Sequence, residues 1–337
     1  MSARARELAR ADRVLPGLWR LRLPLPWRAV PHVNAYAIAA GKGVVLVDTG
    51  LHEPGAMRQL ERALDQARLR IEHVRLVVCT HAHSDHYGLA GPITAAAGCE
   101  LWMHPNHEHM TKSAGDPDRA FERRLEIARQ SGVPADDLAA FEEQRHGQGF
   151  GIAEIVLPDR DLVPGVEVST DLGVWRVYET PGHAPSHVVL HQPERGLLLS
   201  GDQLLGRVSL YYDYGYTPDP VGEFLGSLDV VAALDVRLVL AGHGRPVRDA
   251  PALVEANRRA VRERVERVRA ALAGGERTAF DVLPEIVDRD LPPAMLVGWG
   301  LAETLCYLRH LEVRGEASRV DGSDPERWRA AAAARRP

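Results

Sequence analysis

The chain has 337 residues, 45% of them hydrophobic and 26% charged, with a formal net charge of −5. That length points to one large domain with an appendage or to two domains, and the composition excludes a chain that is disordered over most of its length. No apolar run is long enough for a membrane span, and a main role in gripping phosphate backbones is disfavoured without a basic surplus.

The Arg-rich segment Met1 to Arg13 has no apolar stretch behind it, which argues against a secretory signal. Leu15 to Leu23 and Asn34 to Ala39 read as short strands broken by Pro24, Pro26 and Pro31. Gly43 to Asp48 is a continuous apolar run ending in a carboxylate, the pattern of a buried strand. Pro54 to Ala67 has helical spacing, with Met57, Leu60 and Leu64 on one stripe. Val74 to Cys79 is a second buried strand. Strand, helix, strand predicts a layered α/β fold. Residues 106–149 are charged and helical in character, broken at Gly115, Pro117, Gly132 and Pro134, and read as a helical insertion. Strands are predicted at 167–170, 175–179, 187–192, 197–200 and 236–241.

After Pro251 the pattern changes. Val254, Val261, Val265, Val268 and Leu272 mark a long amphipathic helix closed by Gly274 and Gly275, and Thr278 could cap the next. Ala294 to Val313 reads as a third helix and Glu316 to Val320 as a short strand, with a frayed tail from Ala330. The division expected is 1–250 and 251–337. Arginines and acidic residues nearly balance after 251, so the second part shows no basic stripe.

Three scattered cysteines, Cys79, Cys99 and Cys306, are too few for a disulfide scaffold or a thiolate zinc site and fit a reducing, cytoplasmic compartment. Histidine is the abundant ligand type, at 15. The segment Thr80-His81-Ala82-His83-Ser84-Asp85-His86 leaves a buried strand. His81 and His83 can face one point, and Asp85 and His86 a second nearby, a donor set suited to zinc, iron or manganese. Pro181-Gly182-His183, Ser200-Gly201-Asp202 and Gly242-His243-Gly244 each place one more donor at a strand end, beside a glycine that lets the backbone turn tightly.

On these motifs, residues 15–250 resemble the metallo-β-lactamase fold superfamily. The resemblance implies a four-layered αββα sandwich, and the part after 250 is similar to a helical, winged-helix-like extension. It implies that His81, His83 and His183 hold a first metal ion, that Asp85, His86 and His243 hold a second, and that Asp202 bridges both. Asp48 is then the aspartate that orients a ligand histidine. Together His86 and Asp202 resemble the glyoxalase II-like hydrolases, lactonases, thioesterases and endoribonucleases more than the antibiotic-cleaving lactamases. A flavodiiron oxygen reductase would carry a glutamate at position 83. The implied activity is hydrolysis of a small ester, a thioester or lactone, by a bridging hydroxide on two divalent ions, zinc before iron or manganese. Alternatives are a single-stranded RNA endonuclease or phosphodiesterase and a persulfide dioxygenase with one iron. A metal-bearing binding or regulatory protein is a further, non-enzymatic alternative. With no Gly-x-Ser-x-Gly elbow, serine hydrolase chemistry has no support.

Tyr211, Tyr212, Tyr214 and Tyr216 follow Asp202 and could line a substrate pocket, or pack on the insertion. The insertion itself should wall or cover the site. His187 fits an outer role. His104, His107 and His109 read as a loop of solvated histidines, and Cys79 as core. The partner expected is a small-molecule ester, with nucleic acid second and no membrane. The C-terminal helices could pack on the site or form a homodimer.

Overall fold

The computed structural model describes residues 8–27, 30–145, 149–207, 210–287, 292 and 295–331. Strands β1 (Arg10–Leu15) and β2 (Leu18–Pro24) form a hairpin turning at Gly17, where φ is +83°. The expected strand at 15–23 therefore begins after a turn and has an additional edge partner. β3 (His32–Ala40) and β4 (Gly43–Val47) continue the antiparallel order.

The chain then crosses over through α1 (Ala56–Gln66) to β5 (Val74–Val78), and through α2 (Ser84–Tyr87) and α3 (Ala90–Ala97) to β6 (Glu100–Met103). These strands pair in parallel, which is why each needs a helical crossover. The insertion forms three helices, α4 (Glu108–Gly115), α5 (Pro117–Gln130) and α6 (Ala135–Arg145). Pro117 sits in the first turn of α5, where a missing N–H costs nothing, and the Asp116 side chain accepts from Arg119 N. The short β7 (Arg160–Asp161) closes a seven-stranded sheet in the order β1-β2-β3-β4-β5-β6-β7.

The second sheet has five strands, β8 (Glu167–Thr170), β9 (Gly173–Glu179), β10 (Val188–Gln192), β11 (Leu197–Gly201) and β12 (Leu238–Ala241). α7 (Pro220–Ala232) connects the last two, which are parallel. Alternation along the strands builds the layers. Val45 and Val47 face Trp175, Val177, Leu190 and Leu199 in the core between the sheets. Val44 and Leu46 point the other way, onto Leu60, Leu64 and Ile93 of α1 and α3. Val189, Leu198 and Val239 leave the second sheet toward Val221, Phe224 and Leu228 of α7. Burial of both strand faces explains the unbroken apolar runs in the sequence, and the result is helix, sheet, sheet, helix, the layering expected.

α8 (Ala250–Ala273) lies against α7, and its Val254, Val261, Val265 and Val268 join the same apolar cluster. Thr278 caps α9 (Ala279–Val282) in a reciprocal box: its hydroxyl accepts from Asp281 N at 3.1 Å while the Asp281 carboxylate accepts from Thr278 N at 3.0 Å. A π-helical turn at Leu296–Gly300 leads into α10 (Leu301–Val313). β13 (Arg277–Thr278), β15 (Arg327–Ala330) and β14 (Ala317–Arg319) form a small antiparallel sheet in that order. Ala330, expected to fray, ends a paired strand, because Trp328 beside it is fully buried; the tail beyond 331 lies outside the described residues. Among the described residues no helix is long and apolar enough to cross a membrane.

Candidate metal centre

Four strand exits meet at one edge of the sandwich. After β5 the chain delivers His81 and His83, and His83 precedes the short helix α2 that carries Asp85 and His86. His183 follows β9, Asp202 follows β11 and His243 follows β12. The last of these loops is clamped from the other sheet. The Asn34 side chain donates to the carbonyls of Ala241 at 2.8 Å and Gly244 at 3.0 Å, Tyr36 donates to Ala241 O at 2.8 Å, and Arg20 to Gly244 O at 2.8 Å.

Donor atoms of His81, His83 and His183 lie within 4.8 Å of one another. So do those of Asp85, His86 and His243, and those of His81, His86 and Asp202. Asp202 stands between the groups, 3.4 Å from His86 Nε2, 3.2 Å from His243 Nε2 and 3.7 Å from His183 Nε2. All seven sequence-expected ligands are thus in one cluster, and all seven are largely buried.

Each histidine is fixed on its outward nitrogen by a group that accepts. His86 Nδ1 donates to Asp48 Oδ2 at 2.8 Å, His243 Nδ1 to His32 O at 2.9 Å, and His183 Nδ1 to Tyr211 O at 3.1 Å. His83 Nε2 donates to Asp213 Oδ2 at 2.9 Å. His81 Nδ1 lies 3.0 Å from Thr80 Oγ1, whose own proton goes to Asp48 at 3.0–3.1 Å. Carboxylates and carbonyls only accept, so the outward nitrogens carry the protons and the inward ones present lone pairs. Asp48 itself sits at φ +61°, held by the amide and hydroxyl of Thr80.

The inward atoms look for a cation. His81 Nε2, His86 Nε2 and Asp202 Oδ1 are buried without a hydrogen-bond partner, a cost a folded protein rarely carries unless something satisfies it. The loops leave room for it: a Cβ on Gly242 would stand 2.2 Å from Asp202 Oδ1 and 2.7 Å from His86 Cε1. The donor set, imidazole nitrogen and carboxylate oxygen, fits a divalent ion such as zinc.

Electrostatics divide the cluster. Burial, reinforced by the neighbouring histidines, pushes His81 well below the usual histidine range, and burial takes His183 down to about 4. Those rings are neutral and ready to ligate. His243 is held up at about 10 against burial by Asp202 and Asp85, and the same carboxylates with Asp48 raise His86. Asp202, against its own burial, is kept well below the carboxylate range by His243 and His86. Asp202 and Asp85 thus favour positive charge on the His86 and His243 side of the cluster.

The structure adds residues that sequence reasoning passed over. His104, His107 and His109 are buried, not a solvated loop: His104 lies beside Glu179 and His107 beside Thr111 in the turn before α4, and His109 is on α4 itself. His109 Nδ1 is 2.9 Å from Asp213 Oδ2, and its Nε2 is 2.8 Å from Ser186 Oγ, which accepts from Ala82 N. Asp213 thus joins the insertion to His83. Its place in the tyrosine-rich loop was the only signal available. His187 is not a ligand: its Nε2 accepts from Asp202 N at 3.1 Å and its Nδ1 meets Thr180 Oγ1 at 2.8 Å, so it fixes the Asp202 backbone. Cys79 is core, and burial pushes its thiol well above the usual range.

Beside the cluster is a cavity of about 590 Å³, lined by α4 and α5, by Tyr211, Asp213, Tyr214 and Tyr216, and by the start of α10. Tyr212 points away and packs on Phe224 and Tyr307 with no exposure, so it is a core residue and not a pocket wall. The Tyr211 hydroxyl is engaged, donating to Asp213 Oδ1 at 3.1 Å.

A family model described as the metallo-beta-lactamase superfamily matches residues 28–243. Among relatives, a probable metallo-hydrolase of Bacillus subtilis, YqjP, is 30% identical over 80% of this chain and 86% of its own. The lactamase-like protein adaB of Aspergillus niger is 26% identical over 76% of this chain and 66% of its own. A crystal structure of a metallo-beta-lactamase family protein from Thermus thermophilus superimposes with a TM-score of 0.80 at 29% identity, covering 94% of this chain and 99% of that one. A beta-lactamase domain protein from Burkholderia ambifaria gives 0.81 at 28%, covering 95% and 94%. With a cluster that can bind divalent metal at the matched strand exits, this chain belongs to the metallo-beta-lactamase superfamily and is a metallo-hydrolase of it.

Proposed function

We propose that the chain hydrolyses a small carbonyl ester, a thioester or lactone, with two divalent ions, zinc first, held by the seven clustered residues. His81, His83 and His183 would hold one ion, Asp85, His86 and His243 the other, and Asp202 both. The observation that carries this reading is the common setting of all five histidines, each with one nitrogen fixed outward by an accepting group and the other turned inward, around an unpartnered Asp202 oxygen. When bound, such ions supply an acidified water as nucleophile and positive charge for the attacked oxygen.

The chain's own residues do the rest. Asp202 lies within reach of both histidine groups, and His187 holds its backbone in place. Asp48 and Thr80 keep His86 and His81 in the ligating tautomer. Burial of the cluster excludes bulk water, which strengthens every charge interaction inside. Among the described residues no serine or cysteine stands as a nucleophile at the centre, consistent with attack by water. Near-balance of charge after residue 251 keeps a nucleic-acid substrate second.

The test is a panel of thioesters, lactones, phosphodiesters and single-stranded RNA offered to zinc-loaded protein. Turnover of a thioester or lactone, abolished in Asp202→Ala and His83→Ala, is the expected outcome. RNA cleavage without ester turnover, or wild-type rates in metal-replete Asp202→Ala, would contradict the proposal.

A further inference from the structure

We infer that the cavity beside the centre binds the anionic end of an amphipathic acyl ester, and that Arg119, Arg123 and Arg124 select it. This rests on the ester-hydrolase reading for the reaction, though not for the binding.

The inference starts from the way α5 distributes its charges. Asp116, Arg119, Ala120, Arg123, Arg124 and Ile127 line the cavity. Their spacing of three and four places them on one helix face. The acids Asp118, Glu122 and Glu126 repeat every fourth residue and are exposed away from it. Phe121, Leu125 and Ala128 form the third face and pack into the core. A helix whose only purpose was solubility would mix these signs. Here three of the helix's four arginines line the concave side, the fourth, Arg129, pairs with Glu126 and Glu142 outside it, and the helix's own acids face away.

Neighbouring acids in the lining are already occupied. Glu108 pairs with Lys112, the Asp116 side chain accepts from Arg119 N as a helix cap, and Asp213 is engaged by His83, His109 and Tyr211. Among the described residues, none of the three arginines has an ion-pair partner; Arg124 rests over the Phe150 ring, which leaves its charge uncompensated. The same cavity is lined by apolar Val297, Leu301 and Leu305, which the π-helical turn and α10 present at helical spacing.

A cavity lined by both cationic and apolar side chains fits a ligand with an oxyanion and a hydrocarbon body. Guanidinium recognises carboxylate and phosphate through paired donors, so those two chemistries are the candidates for the anion. His109, Tyr211 and Asp213 form the side of the cavity nearest the centre, and all three pack against His83. A ligand seated there has its polar or apolar end within one side chain of a candidate metal ligand.

The experiment titrates octyl phosphate, octanoate and octanol into the full chain by calorimetry, at low and high salt. The same titrations are made on the triple variants Arg119→Gln/Arg123→Gln/Arg124→Gln and Arg119→Lys/Arg123→Lys/Arg124→Lys. Thermal midpoint and metal content check that both variants fold. The glutamine variant should bind the better of the two anions at least about tenfold more weakly than wild type, the lysine variant should retain part of the affinity, and salt should erase the difference. Octanol should not distinguish the three proteins. Equal anion binding by wild type and the glutamine variant overturns the inference, and so does an absence of anion binding to wild type. Arginine-dependent binding without turnover of any ester leaves the cavity assignment standing and removes the ester reading. Ester turnover with arginine-independent binding does the reverse.

Discussion

His83 shows how far a candidate ligand depends on a partner distant in sequence. Its outward nitrogen donates to Asp213, 130 positions away, and Asp213 in turn meets His109 and Tyr211. Asp213→Ala should lower affinity for the first zinc ion by about 10–100-fold, the usual cost of losing the group that orients a ligating histidine. Asp213→Asn should recover part of it, since its amide oxygen still accepts. Competition with a chromophoric chelator measures this, and wild-type affinity in the alanine variant would show that Asp213 does not position His83. The seven clustered donors were legible because they sit in short motifs at strand exits. Asp213 and His109 were not, because their role arises only where the insertion and the tyrosine loop touch. The histidine run 104–109 looked solvated by composition, yet the turn before α4 and α4 itself bury all three.

At the scale of elements, strand ends do most of the placing. β5, β9, β11 and β12 each end within a few residues of a member of the cluster, and the buried runs that announced these strands also announced the site. β1 escaped notice because an exposed edge strand lacks an apolar run. α7 escaped notice because its apolar residues are interrupted by Gly222 and Gly226. Between α8 and α10 lies a different kind of contact. Arg264 donates to Glu303, which has no exposed surface, under Tyr307. Arg264→Met should destabilise the chain by about 1–3 kcal/mol, because Glu303, whose carboxyl burial already pushes up to about 8, loses its donor, and Arg264→Met/Glu303→Leu should regain most of that. Urea unfolding measures both. A double variant whose loss equals the sum of the single losses would mean the pair is not coupled.

Taken whole, the molecule is a four-layered sandwich whose second outer layer is thickened by the chain after residue 250. The apolar residues of α8 and α10 share one cluster with α7 and the second sheet. Composition marked where the pattern changes, near Pro251, but packing continues across that point. The insertion and the start of α10 come together over one edge to form the cavity beside the centre, a juxtaposition that no sequence motif contains. The layering, the site edge and the seven clustered residues were legible; the cavity and its cationic wall depended on three distant segments meeting.

The most direct measurement is hydrolysis of a responsive thioester or lactone as zinc is added stepwise to metal-free protein. Activity should rise until two equivalents are bound and then level, and Asp202→Ala should stay inactive at every addition. Full activity at one equivalent, or with no metal at all, would contradict a two-ion hydrolytic centre.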